Sequence, residues 1–240
     1  MRIPLTKYGW PQVVVIPGVL LAAMVIFAVV GTSFGGGGGH LPLWALTLIE
    51  VILAGALVFS LAFFRDPLRS CPSDTNLLLA PADGRITDIE ISGDNGTAEG
   101  TGLRIGIFLS IFNTHINRMP CNVKVEEITY KKGRYKNAMN PESSRLNESN
   151  TLSLTRTDSP EDRLVVRQIS GAIARRIVCR TRAGDNLAAG DKFGMIKYGS
   201  RTELYVTVSD AKYKIKCLVK KGDKVKAGLT PLARYERCQN

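Results

Sequence analysis

The chain of 240 residues carries 32 Lys and Arg against 21 Asp and Glu, a formal net charge of +11. Its basic residues are scattered from 118 to 237 without interleaved aromatics, which sets nucleic acid aside; the nearer anionic partner is a membrane leaflet, where each basic group contributes about 1 kcal/mol. Five cysteines, odd in number and without a Cys-x-x-Cys pair, argue against a disulfide framework and against a zinc site.

Two apolar runs come first. Pro11 to Val30 and Leu43 to Phe64 are each about the 20 residues needed to cross a hydrocarbon core. A signal peptide would account for the first but not for the second. The link between them, "GTSFGGGGGH", has no Lys or Arg, whereas Arg2 and Lys7 precede the pair and Arg65 and Arg69 follow it. This bias predicts a two-helix hairpin in the cell (inner) membrane, with everything after it on the cytoplasmic side. Glu50 is then an intramembrane carboxyl, a functional candidate by position. The expected division is an anchor over 1–66, with helices at about 11–30 and 43–64, and a second domain over 67–240.

From Arg65 onward short β-type runs dominate, among them "NLLLAPADGRITDIEIS", "TGLRIGIFLSIF", "NVKVEEITYKKGRY", "RLVVRQISG" and "GMIKYGSRTELYVTVS". Gly-Asp, Asp-Gly and Lys-Gly turns punctuate them, predicting a mainly β (β-rich α+β) domain with a curled sheet. Short helices are expected near Phe112–Asn117 and Gly190, and the polar stretch Asn137–Asp162 reads as a long loop. "VKKGDKVKAGLTPLARY" has the cadence of the half-repeat in lipoyl and biotinyl carrier domains, which suggests barrel-sandwich-like elements.

Of the two histidines, His40 lies in the link between the apolar runs, leaving His115 in "FLSIFNTHINRMP" as the near-neutral acid or base of the second domain. Asp83 sits in a Pro-Ala-Asp-Gly turn. In "GMIKYGSRTELYV", Ile196, Tyr198, Leu204 and Val206 fall on one period-2 stripe, and Gly199–Ser200 interrupts it where glycine weakens a strand. Either a bulge sits there or the bond is attacked by its own serine. Asp83, His115 and Ser200 together supply an orienting acid, a base and a nucleophile, although spacing alone leaves open whether they meet. Arg118, Arg175, Arg176 and Arg201 are candidate phosphate-facing cations because a guanidinium matches phosphate bidentately, and Asn113 joins Asn117 and Arg118 beside His115.

In order along the chain, "FFRDPLR", "APADGRI", "GIFLSIFNTHINRMP", "QISGAIARRIV", "GDNLAAGDKFGMIKYGSR" and "VKKGDKVKAG" resemble the phosphatidylserine decarboxylase family in its short bacterial and archaeal form. The resemblance covers about Phe63 to Arg234. It implies self-cleavage between Gly199 and Ser200, giving a large chain 1–199 and a small chain 200–240 that remain together as a heterodimer. Ser200 becomes a covalent pyruvoyl group whose ketone takes the substrate amine and the electrons left as carbon dioxide departs, and no metal is implied. His115 takes the serine proton, Asp83 fixes the imidazole tautomer, and Asn113, Arg118 and Arg201 are the substrate-binding candidates. The implied substrate is an anionic phospholipid, phosphatidylserine, with archaetidylserine as the alternative; a higher oligomer is left open. Composition and cadence alone also fit a membrane-tethered, non-catalytic lipoyl-like adaptor.

Overall fold

The computed structural model describes residues 4–33, 42–92, 102–136, 143–172, 176–197 and 200–238. The chain divides into two compact units, Met1–Pro67 and Leu68–Asn240.

In the first unit two helices, α1 (Gln12–Ser33) and α2 (Leu43–Phe63), are apolar all round rather than along one stripe, the pattern of a helix whose surroundings are apolar on every side. Both are long and apolar enough to cross a membrane. Their outer ends are tied together: Thr6 donates its N–H to the Phe64 carbonyl at 2.9 Å and Asp66 to Pro4 at 2.7 Å. Gly9 lies against the Phe64 ring so closely that a side chain at 9 would collide with it. Glu50 borders a gap between the helices lined by Phe27, Gly31 and Leu46.

The second unit is mainly β. Its strands are β1 (Leu77–Leu79), β2 (Gly84–Ser92), β3 (Gly102–Leu109), β4 (Ile116–Arg118), β5 (Val123–Lys131), β6 (Ser149–Arg156) and β7 (Arg163–Ser170). They continue with β8 (Arg176–Cys179), β9 (Asn186–Leu187), β10 (Lys192–Lys197), β11 (Ser200–Thr207), β12 (Tyr213–Cys217), β13 (Lys224–Val225) and β14 (Pro231–Arg237). A single helical turn, α3 (Ser143–Leu146), precedes β6. An eight-stranded antiparallel sheet runs β13-β2-β3-β11-β7-β6-β5-β9, accompanied by β1-β14-β12 and β4-β10-β8.

Period-2 alternation places the core. Leu204 and Val206 of β11 share a face with Ile105 and Leu103 of β3 and with Val166 and Leu164 of β7, all buried. Each such side chain, fully buried, contributes about 1.5–3 kcal/mol. The five cysteines are free thiols, and burial pushes the Cys121 thiol up to about 12.

Two stretches of chain repeat one device. Asp185 and Asp223 follow Gly184 and Gly222, which have φ of 91° and 97°, and six residues after each glycine comes another at positive φ, Gly190 or Gly228. Gly184 N–H bonds the Val125 carbonyl at 2.7 Å, and Gly222 bonds Ile86 at 2.8 Å. Further along, Ala189 N–H bonds Asn122 Oδ1 and Ala227 N–H bonds Asp83 Oδ1, both at 2.8 Å. β9 and β13, the strands inside these stretches, close the two opposite edges of the large sheet. The carrier-domain cadence is thus present twice, as a pair of half-repeats.

Three local expectations change. Residues 149–156 of the expected loop form β6, whose polar side chains are buried by pairing with β5 and β7, and 143–146 form α3. No helix forms at Phe112–Asn117, where Asn113 closes a turn by accepting the Ser110 N–H at 2.9 Å and β4 follows; Gly190 sits in a turn at φ 82°. The run from Gly194 to Val206 is not one strand: β10 belongs to a three-stranded sheet and β11 to the middle of the eight-stranded one.

Candidate active site

Ser200 is the first residue of β11, where the chain has just left one sheet for the other. Gly199, Arg175 and His40 lie outside the described residues. Ser200 is 0% exposed, and its hydroxyl has no hydrogen-bond partner among the described residues. Directly opposite in register is Ser170 of β7, also fully buried and with its hydroxyl equally unpaired. Two buried, unsatisfied hydroxyls side by side are costly in a folded protein and mark a place kept open for chemistry.

At this end of β11 the inner face of the sheet turns from apolar to polar. Thr202 follows Ser200 on the same face and accepts from Asn117 Nδ2 at 3.1 Å; Asn117 Oδ1 accepts from Gln168 at 2.8 Å, and Gln168 Oε1 from Asn150 at 3.0 Å. All four side chains are buried. The chain fixes the site floor in one amide orientation, because each donor and acceptor is used in sequence. Gly194 makes room for it, since a side chain there would strike the Gln168 amide and the Val178 carbonyl.

His115 is 0% exposed and lies just before β4, two residues ahead of Asn117; its carbonyl accepts the Ile196 N–H at 3.3 Å. His115 and Ser200 are each two residues along the chain from a partner in the same Asn117–Thr202 bond. Buried Lys197 of β10 stands opposite Arg176 of β8, and burial together with the neighbouring guanidinium pulls its ammonium below the ordinary lysine range.

Asp83 is placed differently from the sequence expectation. Arg69 grips both carboxylate oxygens, at 2.5 and 2.8 Å, and Oδ1 also accepts the Ala227 N–H. These bonds, rather than the imidazole, hold the carboxylate. Its link to His115 runs through backbone: the turn that Asp83 anchors presents the Pro81 carbonyl, which accepts from Asn117 Nδ2 and from the Arg118 N–H at 3.0 Å. Arg69, read from the sequence as a charge flanking the membrane, is this buried clamp.

The other cations spread out. Arg118 is buried and donates to the Gly190 carbonyl at 3.0 Å. Arg201, next after the serine, projects to the opposite face of the sheet, where it donates to Asp88, Glu203 and Thr87. Asn113 closes its turn, and Arg176 is exposed on β8. Gln168, Asn150, Ser170 and Lys197 carried no signal in the sequence, because each looks like an ordinary strand residue until its register is known. No cluster of His, Cys, Asp and Glu capable of holding a metal occurs among the described residues.

A buried serine, a buried histidine and a polar floor reached from both of their segments are what a candidate active site needs, unlike the exposed lysine at a hairpin tip that a carrier domain needs. Residues 57–233 match the profile of the phosphatidylserine decarboxylase family. A protein of Ralstonia nicotianae named phosphatidylserine decarboxylase proenzyme is 35% identical over 232 residues, covering 97% of this chain and 96% of the relative. One of the same name from Pelodictyon phaeoclathratiforme is 38% identical over 195 residues, 81% of this chain and 87% of the relative; that of Rhodopirellula baltica is 35% identical over 238 residues, 98% and 90%. The chain belongs to the phosphatidylserine decarboxylase family and is a decarboxylase, a carbon–carbon lyase. The adaptor reading falls with that finding.

Proposed function

We propose that this chain decarboxylates phosphatidylserine to phosphatidylethanolamine at a membrane, after cutting itself between Gly199 and Ser200. The observation that carries the reading is the fully buried, unpaired Ser200 hydroxyl at the head of a central strand, in a chain whose relatives are named proenzymes. His115 takes the Ser200 hydroxyl proton as Oγ attacks the Gly199 carbonyl carbon, the amide C–N bond breaks, and an ester joins the two halves. Loss of the Ser200 Cα proton then breaks the Cβ–O bond and frees the Gly199 carboxylate. Water replaces the remaining nitrogen, which leaves as ammonia.

The pyruvoyl group so formed supplies a carbonyl electron sink for decarboxylation. The surroundings fit it: the sheet face that carries Ser200 is polar at this end, the Ser170 hydroxyl is free among the described residues to donate to a carbonyl oxygen at position 200, and the Asn117–Gln168–Asn150 chain holds the floor. His115 holds the proton that the substrate carbon receives when carbon dioxide leaves. Asp83 acts as a positioning residue, because its clamp with Arg69 fixes the Pro81 carbonyl that carries the His115 segment. The two apolar helices keep the domain at the bilayer that holds the lipid, on the cytoplasmic side by the charge bias of the flanking residues.

Intact-mass analysis of the purified protein tests the cleavage. The wild type is expected as two chains, the smaller starting at position 200, and Ser200→Ala and His115→Ala as one uncut chain of about 26 kDa. A split Ser200→Ala protein removes the proposal. Release of carbon dioxide from phosphatidylserine, and not from its isoprenoid analogue, checks the substrate.

A further inference from the structure

The face of the large sheet that points away from Ser200 holds an open cavity of about 720 Å³. Strand alternation separates it from the site above: Ser200, Thr202 and Leu204 face the core, while Arg201 and Tyr205 line the cavity. Its charges divide into two sets. Arg104 and Arg201 are neutralised where they stand by Asp88, Glu90 and buried Glu203.

Arg145, Arg167 and Lys221 make up the second set. They reach the same cavity from α3, from β7 and from the turn before β13. None of the three is paired with a carboxylate among the described residues. Arg167 gives one bond to Ser149 Oγ at 3.1 Å, while its Nε is buried with no acceptor. A guanidinium N–H hidden from water and left without an acceptor is unfavourable unless a ligand supplies one. Two guanidiniums and an ammonium converging on one space match the charge and the oxygen geometry of a phosphate.

We propose that this cavity is a phosphate-binding site, separate from the decarboxylation centre, that takes a phosphate mono- or diester. The ligand is either free inorganic phosphate or the headgroup of an anionic lipid other than the one being decarboxylated. The site would let the enzyme sense or grip anionic lipid without occupying its catalytic face.

The test uses the full-length protein in neutral detergent. Inorganic phosphate is titrated by calorimetry, and retention of phosphatidic acid is counted by native mass spectrometry. Wild type is expected to bind at least one of them saturably; Arg167→Gln should raise the apparent Kd at least tenfold, and Lys221→Gln, an exposed change that cannot unfold the sheet, severalfold. Binding of inorganic phosphate with that sensitivity identifies a soluble ligand. Retention of phosphatidic acid alone, with the same sensitivity, identifies a headgroup. Absence of both, or binding that Lys221→Gln and Arg145→Gln leave unchanged, overturns the proposal whether or not the enzyme cleaves itself.

Discussion

Ser170 shows how much a single position can carry without announcing itself. Its hydroxyl is buried, unpaired among the described residues and carried by the residue directly across from Ser200, so under the proposed self-cleavage it is a candidate donor to the oxygen that would turn negative. Removing one such donor from an acyl-transfer site costs about 100- to 1,000-fold in well-studied cases, and a single hydroxyl beside other polar groups should sit at or below that range. Ser170→Ala is therefore expected to slow self-cleavage by about 10- to 100-fold while barely moving the melting temperature, as a time course of chain splitting and a thermal melt would show. Unchanged cleavage would make Ser170 a packing residue. The sequence singles out His115 and Ser200, one by elimination among two histidines and the other by a glycine placed where strands avoid it, and the structure buries both. The Asp83 partner was not legible. A turn aspartate looks alike whether it orients an imidazole or holds a backbone N–H, and only the matching bond from Ala189 to Asn122 reveals the fold-level part of its work.

At the scale of an element, β11 is the strand on which the two faces of the domain meet. Its inner side begins with the buried Ser200; its outer side begins with Arg201, clamped to Asp88 and Glu203, above Gly106, where any side chain would run into both Asp88 and Arg201. Burial alone would raise the Glu203 carboxyl, but the Tyr205 hydroxyl it accepts from and the charges of Arg201 and Arg104 outweigh that and hold it below the usual carboxylate range. Asp88 is depressed in the same sense, burial again being outweighed by Thr87 and Arg201. A depressed folded value means that the unfolded chain binds the proton first. The network's contribution is thus fully present above about pH 4.5 and is lost as pH falls through the lower folded values. Glu203→Gln should cost about 3 kcal/mol at neutral pH, because it takes one carboxylate partner from the buried Arg201 guanidinium and from the half-buried Arg104 guanidinium. Its stability should then fall less steeply than the wild type's below pH 4.5 in urea titrations, and parallel acid limbs would contradict the network. Period-2 patterning made β11 visible in the sequence. It could not show that β10, ending at Lys197, and β11, beginning at Ser200, belong to different sheets, because alternation reports which face a residue is on and not which sheet it joins.

For the molecule as a whole, the proposed position of the cut would decide what kind of object the mature enzyme is. Residues 200–240 would supply β11, β12, β13 and β14, and these are not peripheral. β11 pairs with β3 and β7 along its whole length, β14 lies between β1 and β12, and β13 closes an edge against β2. The small chain could leave only by opening two sheets at once. Before the cut these pairings form within one chain, at the high effective concentration that a covalent link provides; after it they must be found by two separate molecules. The cut enzyme is therefore expected to run as one species in mild detergent and to come apart only on denaturation. When both are unfolded in urea and diluted back, the recovery of the cut enzyme should rise with protein concentration, while Ser200→Ala, still one chain, should refold to a yield independent of concentration at high dilution. Equal behaviour of the two, or separation of the chains without denaturant, would mean that the fragment after the cut does not hold the middle of the sheet.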